Sequence, residues 1–159
     1  MARNRHQSAV IEYPSELEVR LTRDFDAPMQ LVFDAFTKPD LVRQTFAPFG
    51  EQMTKCEIDL RVGGNYHYIM VTHDGFECSF PGTFLEIEPP RRIAQTWHFD
   101  GWPDVEAIET MSFHEAKGVT TLTYELAFSD KAGRDHMTKF DGHQANFDHL
   151  DDLFERLRE

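Results

Sequence analysis

The sequence predicts an α+β fold: a curved antiparallel β-sheet of about six to seven strands wrapping a long C-terminal helix, with two short helices after the first strand. Three observations predict it. Apolar and polar residues alternate with a period of two along much of the chain. Short turns join the alternating segments, which pairs them antiparallel, and no crossover helices separate them as a parallel sheet would need. Near the end the period changes: Phe147, Leu150, Phe154 and Leu157, with Leu153, recur at spacings of three and four. That is one helical stripe, able to cover the sheet's apolar face.

Residues Met1 to Pro14 lack periodicity and are expected to form a loose arm (1–14), leaving 15–159 as one domain. From Glu16, Leu17, Val19 and Leu21 face one way and Glu18, Arg20 and Thr22 the other, a half-buried strand ending near Phe25. Asp26-Ala27-Pro28 opens a helix, because the missing N–H of proline would be unpaired in the first turn anyway. Leu31, Val32, Ala35 and Phe36 supply its apolar face. Thr37-Lys38-Pro39-Asp40 stops it and starts a second short helix through Leu41 and Val42 toward Phe46, before Pro48 and Gly50 break the chain.

Strands follow in series. Cys56, Ile58 and Leu60 alternate with Lys55, Glu57 and Asp59; Gly63-Gly64 turns the chain into a strand over Tyr66 to Thr72. Asp74-Gly75 tolerates the positive φ of a hairpin turn. Phe76 to Ile87 continues as strand, with a bulge or bend expected at Pro81-Gly82. Pro89-Pro90 leads to a strand over Ile93 to Phe99, and Gly101-Trp102-Pro103 sits in a loop over 100–105. Met111 and Phe113 mark the next strand. Gly118 turns it into the last, where Leu122, Tyr124, Leu126 and Phe128 alternate with polar neighbours. The terminal helix is expected from Gly142 to Arg158.

Composition excludes some functions. Lys plus Arg is 16 against 28 for Asp plus Glu, a formal charge of −12, which repels phosphate backbones. No nucleic-acid partner and no membrane partner are expected. No run reaches the ~20 apolar residues of a membrane span. Met1 to His6 carries two arginines without an apolar stretch behind it, so no secretory signal is expected and the location is expected to be cytoplasmic. Aromatic residues reach 13%, 14 of them Phe, a surplus that must be buried. Cys56 and Cys78 are too few for a disulfide framework. On next-but-one strands they would lie about 9–10 Å apart, beyond the ~7 Å that a disulfide tolerates. Free thiols are expected.

Four stretches together resemble a known family. They are Ala27-Pro28 through Phe33-Asp34-Ala35-Phe36-Thr37 with Pro39-Asp40-Leu41, then Asp59-Leu60-Arg61-Val62-Gly63-Gly64. Gly82 through Pro89-Pro90 with Thr96-Trp97 follows, and Phe113 with Gly118 through Leu122 comes last. In order and spacing, over residues 17 to 157, this resembles the START-like SRPBCC superfamily, in the branch named for the activator of the heat-shock-protein ATPase. The resemblance implies a helix-grip fold with a deep cavity between curved sheet and C-terminal helix, and small, mostly apolar ligands. The chain departs from the family in two places. Gly142-His143 stands where Gly-Trp is usual, and Thr45-Phe46-Ala47-Pro48 stands where a tryptophan pair is usual; both fall near the implied cavity mouth.

Helix spacing places His143 with Phe147, Leu150 and Phe154, and Asn146 with Leu150, Leu153 and Leu157. A buried polar group without a partner costs ~1–3 kcal/mol, so two on a core stripe point either to ligand contacts or to bonds with loop carbonyls near the helix start. Tyr66, Tyr68 and Met70 share one strand face, and Gln95, Trp97 and Phe99 another. Such stripes are ordinarily core; the implied cavity makes all eight residues candidate ligand contacts, apolar with a few placed polar groups.

No metal site and no cofactor are expected. His143 and His149 are six apart and project differently, and Asp148 and Asp152 read as a solvated acidic face. No nucleophile motif or phosphate loop occurs. Glu109 shares strand parity with Met111 and Phe113; inward, it could serve as a general base, but a solvated strand-edge position is the favoured reading. The sequence thus points to a small-molecule-binding module and leaves room for a homodimer. The alternatives are a cyclase, hydrolase or lyase using the same cavity with His143, Glu109 or a tyrosine as acid or base, and a protein-interaction module of co-chaperone kind.

Overall fold

The computed structural model describes residues 5–46, 52–139 and 143–158. The expected chain breaks at Pro48 and Gly50, the helix start at Gly142 and the family departures at Ala47-Pro48 and Gly142 lie outside the described residues.

Eight antiparallel strands form one curved sheet in the order β1-β2-β8-β7-β6-β5-β4-β3. They are β1 (Val10–Glu12), β2 (Glu18–Phe25), β3 (Gln52–Ile58), β4 (Asn65–Val71), β5 (Glu77–Glu88), β6 (Arg92–His98), β7 (Glu106–Ala116) and β8 (Val119–Phe128). Helices α1 (Met29–Thr37) and α2 (Pro39–Thr45) follow β2, and α3 (Lys131–Lys139) and α4 (His143–Arg158) follow β8. The expected helix-grip fold is present, with one strand and one helix more than the alternation shows.

The extra strand corrects the loose arm. Val10–Glu12 pairs with Arg20–Thr22 of β2; all three residues are exposed, so no burial alternation marks them. The arm also docks on α4. The Gln7 backbone N–H and Nε2 both donate to Asp148, and Gln144 exchanges two hydrogen bonds with the Ala9 backbone. Helix α3 escapes sequence reading because Met137 is its one large buried apolar side chain, too little for a stripe.

Strand β5 runs unbroken through Pro81-Gly82, and the irregularity falls between Phe84 and Glu86 against β6. Residues 77–83 pair only with β4, while β6 pairs from Phe84 onward. Neighbouring Ser79 and Thr83 send their amides away from β4, to Asp100 and Thr96. The missing N–H of Pro81 falls on that side, where no ladder bond is lost. Lys117 and Gly118, both at positive φ, close β7 onto β8 in a two-residue hairpin.

Burial alternates strictly along β2. Val19, Leu21 and Phe25 face α4, with the Phe25 ring 6.1 Å from Phe147 and 5.6 Å from Phe154, both edge-on. Leu150 and Leu153 complete the helix stripe. Leu157 is half exposed, so the stripe ends a turn earlier than its spacing suggests. Asp148 is not on a solvated face: it is buried and paired to Arg23.

Candidate functional site

The sheet and α4 do not meet along their whole length. Where β4, β6, β7 and the start of α4 converge, they line a partly open cavity of about 340 Å³. Alternation decides what faces it. On β4 the inner positions are Tyr66, Tyr68 and Met70. Gln95 and Trp97 come from β6, with Phe99 just beyond its end, and His143 and Asn146 from the first turns of α4. All eight candidate residues line this one cavity.

Aromatic rings make most of the wall. Phe80 stacks on Phe99 at 4.8 Å, and Trp102 stands edge-on to Phe99 at 5.2 Å. Phe46 packs 5.5 Å from Tyr68, which lies 5.0 Å from Tyr66. Tyr66 fits because residue 82 is glycine; a Cβ there would overlap its ring. The Tyr66 hydroxyl donates to the Thr96 carbonyl.

A polar group of residues interrupts this apolar wall. Glu109, the register partner of Gln95 across β6 and β7, is 6% exposed and lines the cavity. Its expected solvated position is thus corrected: parity with Met111 and Phe113 holds through β7 and turns the carboxyl inward. Gln95 Nε2 donates to Glu109 Oε1 at 2.8 Å. Burial pushes the Glu109 carboxyl up to about 7, while the Gln95 bond and nearby His143 pull the other way. Burial also holds the Tyr66 and Tyr68 hydroxyls above the ordinary tyrosine range. His143 packs on Tyr124, ring centroids 4.8 Å apart. Asn146 Oδ1 is buried without a hydrogen-bond partner among the described residues.

Chemically, the cavity offers a flat apolar guest extensive ring contact, with a carboxyl from β7 and an amide from α4 among its lining groups. Sequence reasoning missed Trp102 and Phe46 as lining residues. Trp102 lies in an aperiodic loop, where parity gives no signal. Glu109 carried a signal in its parity, outweighed by the general cost of burying a carboxylate.

A family model described as Activator of Hsp90 ATPase homolog 1-like protein matches residues 26–155. No curated protein matches the chain. Among solved structures, a Rhodobacter sphaeroides protein superposes with a TM-score of 0.86 at 22% identity, covering 94% of this chain and 99% of that one. A Chromobacterium violaceum protein gives 0.76 at 27% identity, with 87% and 98% covered. A Staphylococcus epidermidis protein studied by solution NMR gives 0.80 at 25%, with 94% and 96% covered. The first of these likenesses is one of fold.

Proposed function

The chain belongs to the Activator of Hsp90 ATPase homolog 1-like family, and from that premise we propose that it binds a small apolar or aromatic molecule between the sheet and α4. A fold alone does not assign a function. The observation that carries this reading is the cavity of about 340 Å³, walled largely by packed aromatic rings with a few polar groups from β6, β7 and α4 among them. Ligand sites are concave and mostly apolar, of about 300–1,000 Å³, with few convergent polar groups. The net charge of −12 favours a neutral or cationic guest over an anion.

Fluorescence titration with N-phenyl-1-naphthylamine tests the reading. The wild type should bind the dye, and naphthalene and 1-naphthol should displace it. Met111→Trp fills the cavity from β7 and should weaken dye binding at least tenfold while circular dichroism stays native. His143→Phe keeps ring contact with Tyr124 and should keep native circular dichroism. It should also weaken 1-naphthol relative to naphthalene by about fivefold, the worth of one hydrogen bond. Dye binding that Met111→Trp leaves unchanged would place the dye on the outer surface and overturn the reading.

A further inference from the structure

Glu109 is more than this cavity needs for apolar binding. Its carboxyl is buried inside an aromatic wall, with no lysine or arginine bridged to it among the described residues and only the His143 imidazole acting on it electrostatically. Desolvating a carboxyl without such a partner is costly. Leucine or glutamine would line the wall more cheaply. Oε1 is fixed by Gln95 Nε2 at 2.8 Å, and the Tyr66 hydroxyl, bonded to the Thr96 carbonyl, lines the same cavity. Oε2 has no hydrogen-bond partner among the described residues. One oxygen is anchored and the other is left toward the guest's space, the arrangement a general base requires.

We propose that Glu109 is a general base that removes a proton from carbon on a guest in this cavity. This rests on the reading of the cavity as an aromatic-ligand site. The guest is an aromatic or conjugated molecule whose C–H is made acidic by an adjoining electron-withdrawing group. In the step, the guest's C–H bond breaks and an O–H bond forms on Oε2. The electron pair released moves into the withdrawing group. In an isomerisation, Glu109 returns the same proton to another atom of the guest; in an elimination, the pair expels a leaving group and the proton passes to solvent. Neither course needs an oxidant or reductant. A carboxylate shielded from water in an apolar site is a stronger base than in solution, and a carboxyl titrating near about 7 is half ionised at neutral pH.

The probe is 5-nitro-1,2-benzisoxazole. Loss of its C3 proton to a base forms the nitrile as the ring N–O bond breaks, giving coloured 2-cyano-4-nitrophenolate. Wild-type protein should accelerate this reaction. Glu109→Gln, whose amide oxygen can still accept from Gln95, should lower the protein-dependent rate at least about 100-fold while still binding N-phenyl-1-naphthylamine. The wild-type rate should rise with pH through a midpoint of about 7. The titratable groups sharing the cavity wall are Tyr66 and Tyr68 on β4, Tyr124 on β8, Cys78 on β5 and His143 on α4. Burial holds Tyr66 and Tyr68 protonated across this range, and His143→Phe, which removes the imidazole's downward pull on the carboxyl, should keep a single midpoint moved upward, separating Glu109 from the imidazole.

Displacement of the dye by the benzisoxazole from Glu109→Gln, with wild type reacting no faster than that variant, overturns the inference and leaves the binding reading standing. Dye binding without displacement by the smaller benzisoxazole also overturns the inference alone. Absence of dye binding in the wild type overturns both.

Discussion

Arg23 Nη2 lies 3.2 Å from Asp148 Oδ1, joining the inner face of β2 to the middle of α4. Arg23 shares strand parity with Leu21 and Phe25 and is 1% exposed. Its Nη1 reaches Asp151 at 3.2 Å and the Asp24 carbonyl at 2.9 Å, and its guanidinium sits 4.7 Å from the Phe25 ring centre. Gln7 adds two donors to Asp148 from the arm. The helix is therefore held against the sheet by charge at one place and by rings on either side of it.

Removing one partner of a buried pair strands the other. Asp148→Ala leaves Arg23 with Asp151 and frees both Gln7 donors, so it should destabilise the fold by about 3 kcal/mol in urea denaturation. Asp152, with a side chain 47% exposed, pairs with His6 at the surface. Asp152→Ala should cost less than about 1 kcal/mol. Equal losses in the two variants would show that the buried network does not hold the helix.

Glu109 makes stability depend on pH. Its folded-state titration lies at about 7, above the ordinary 4.5, so the folded chain holds this proton more tightly than the unfolded one. The stability this contributes is fully present below about 4.5 and is lost as pH rises to about 7. Glu109→Gln removes the titration while keeping an acceptor for Gln95. Relative to wild type, it should gain stability between pH 4.5 and 8, by at most about 3 kcal/mol. A stability difference that stays constant over that range would contradict the buried position of the carboxyl.

Gly82 and Tyr66 should be coupled. A Cβ at residue 82 overlaps the Tyr66 ring, so Gly82→Ala must push the ring off its seat and strain its bond to Thr96. The expected cost is about 1–3 kcal/mol. In a Tyr66→Ala background the same change should cost under about 0.5 kcal/mol. Additive losses in the double-mutant cycle would mean that the clash is with something other than this ring.

The two thiols should differ in reactivity. Cys56 is 6% exposed and burial pushes its thiol up, whereas Cys78 is half-buried and lines the cavity. Denatured, unreduced protein should give two thiols per chain with a disulfide reagent. In the native protein Cys78 should react at least ten times faster than Cys56, and saturating N-phenyl-1-naphthylamine should slow it. A Cys78 rate indifferent to the dye would separate this thiol from the guest's space.

The sequence by itself determined the sheet's faces and the order of the main elements, and its parity put all eight candidate residues on the inner faces. Side-chain direction along a strand or helix is a local property, repeating every 2 or 3.6 residues. Short connections left few ways to arrange those elements. Tertiary structure decided which charged side chains on the inner parity stay inside. Arg23 and Glu109 both follow that parity, yet a charge is expected at the surface until its partners are known. Arg23 is retained by Asp148 and Asp151, which arrive from a helix more than a hundred residues later. Glu109 is retained by Gln95 on the adjacent strand. The arm's strand and the place of Trp102 in the wall were likewise settled by tertiary structure. Their own residues carry no periodic burial, so the partners that order them come from elsewhere in the chain.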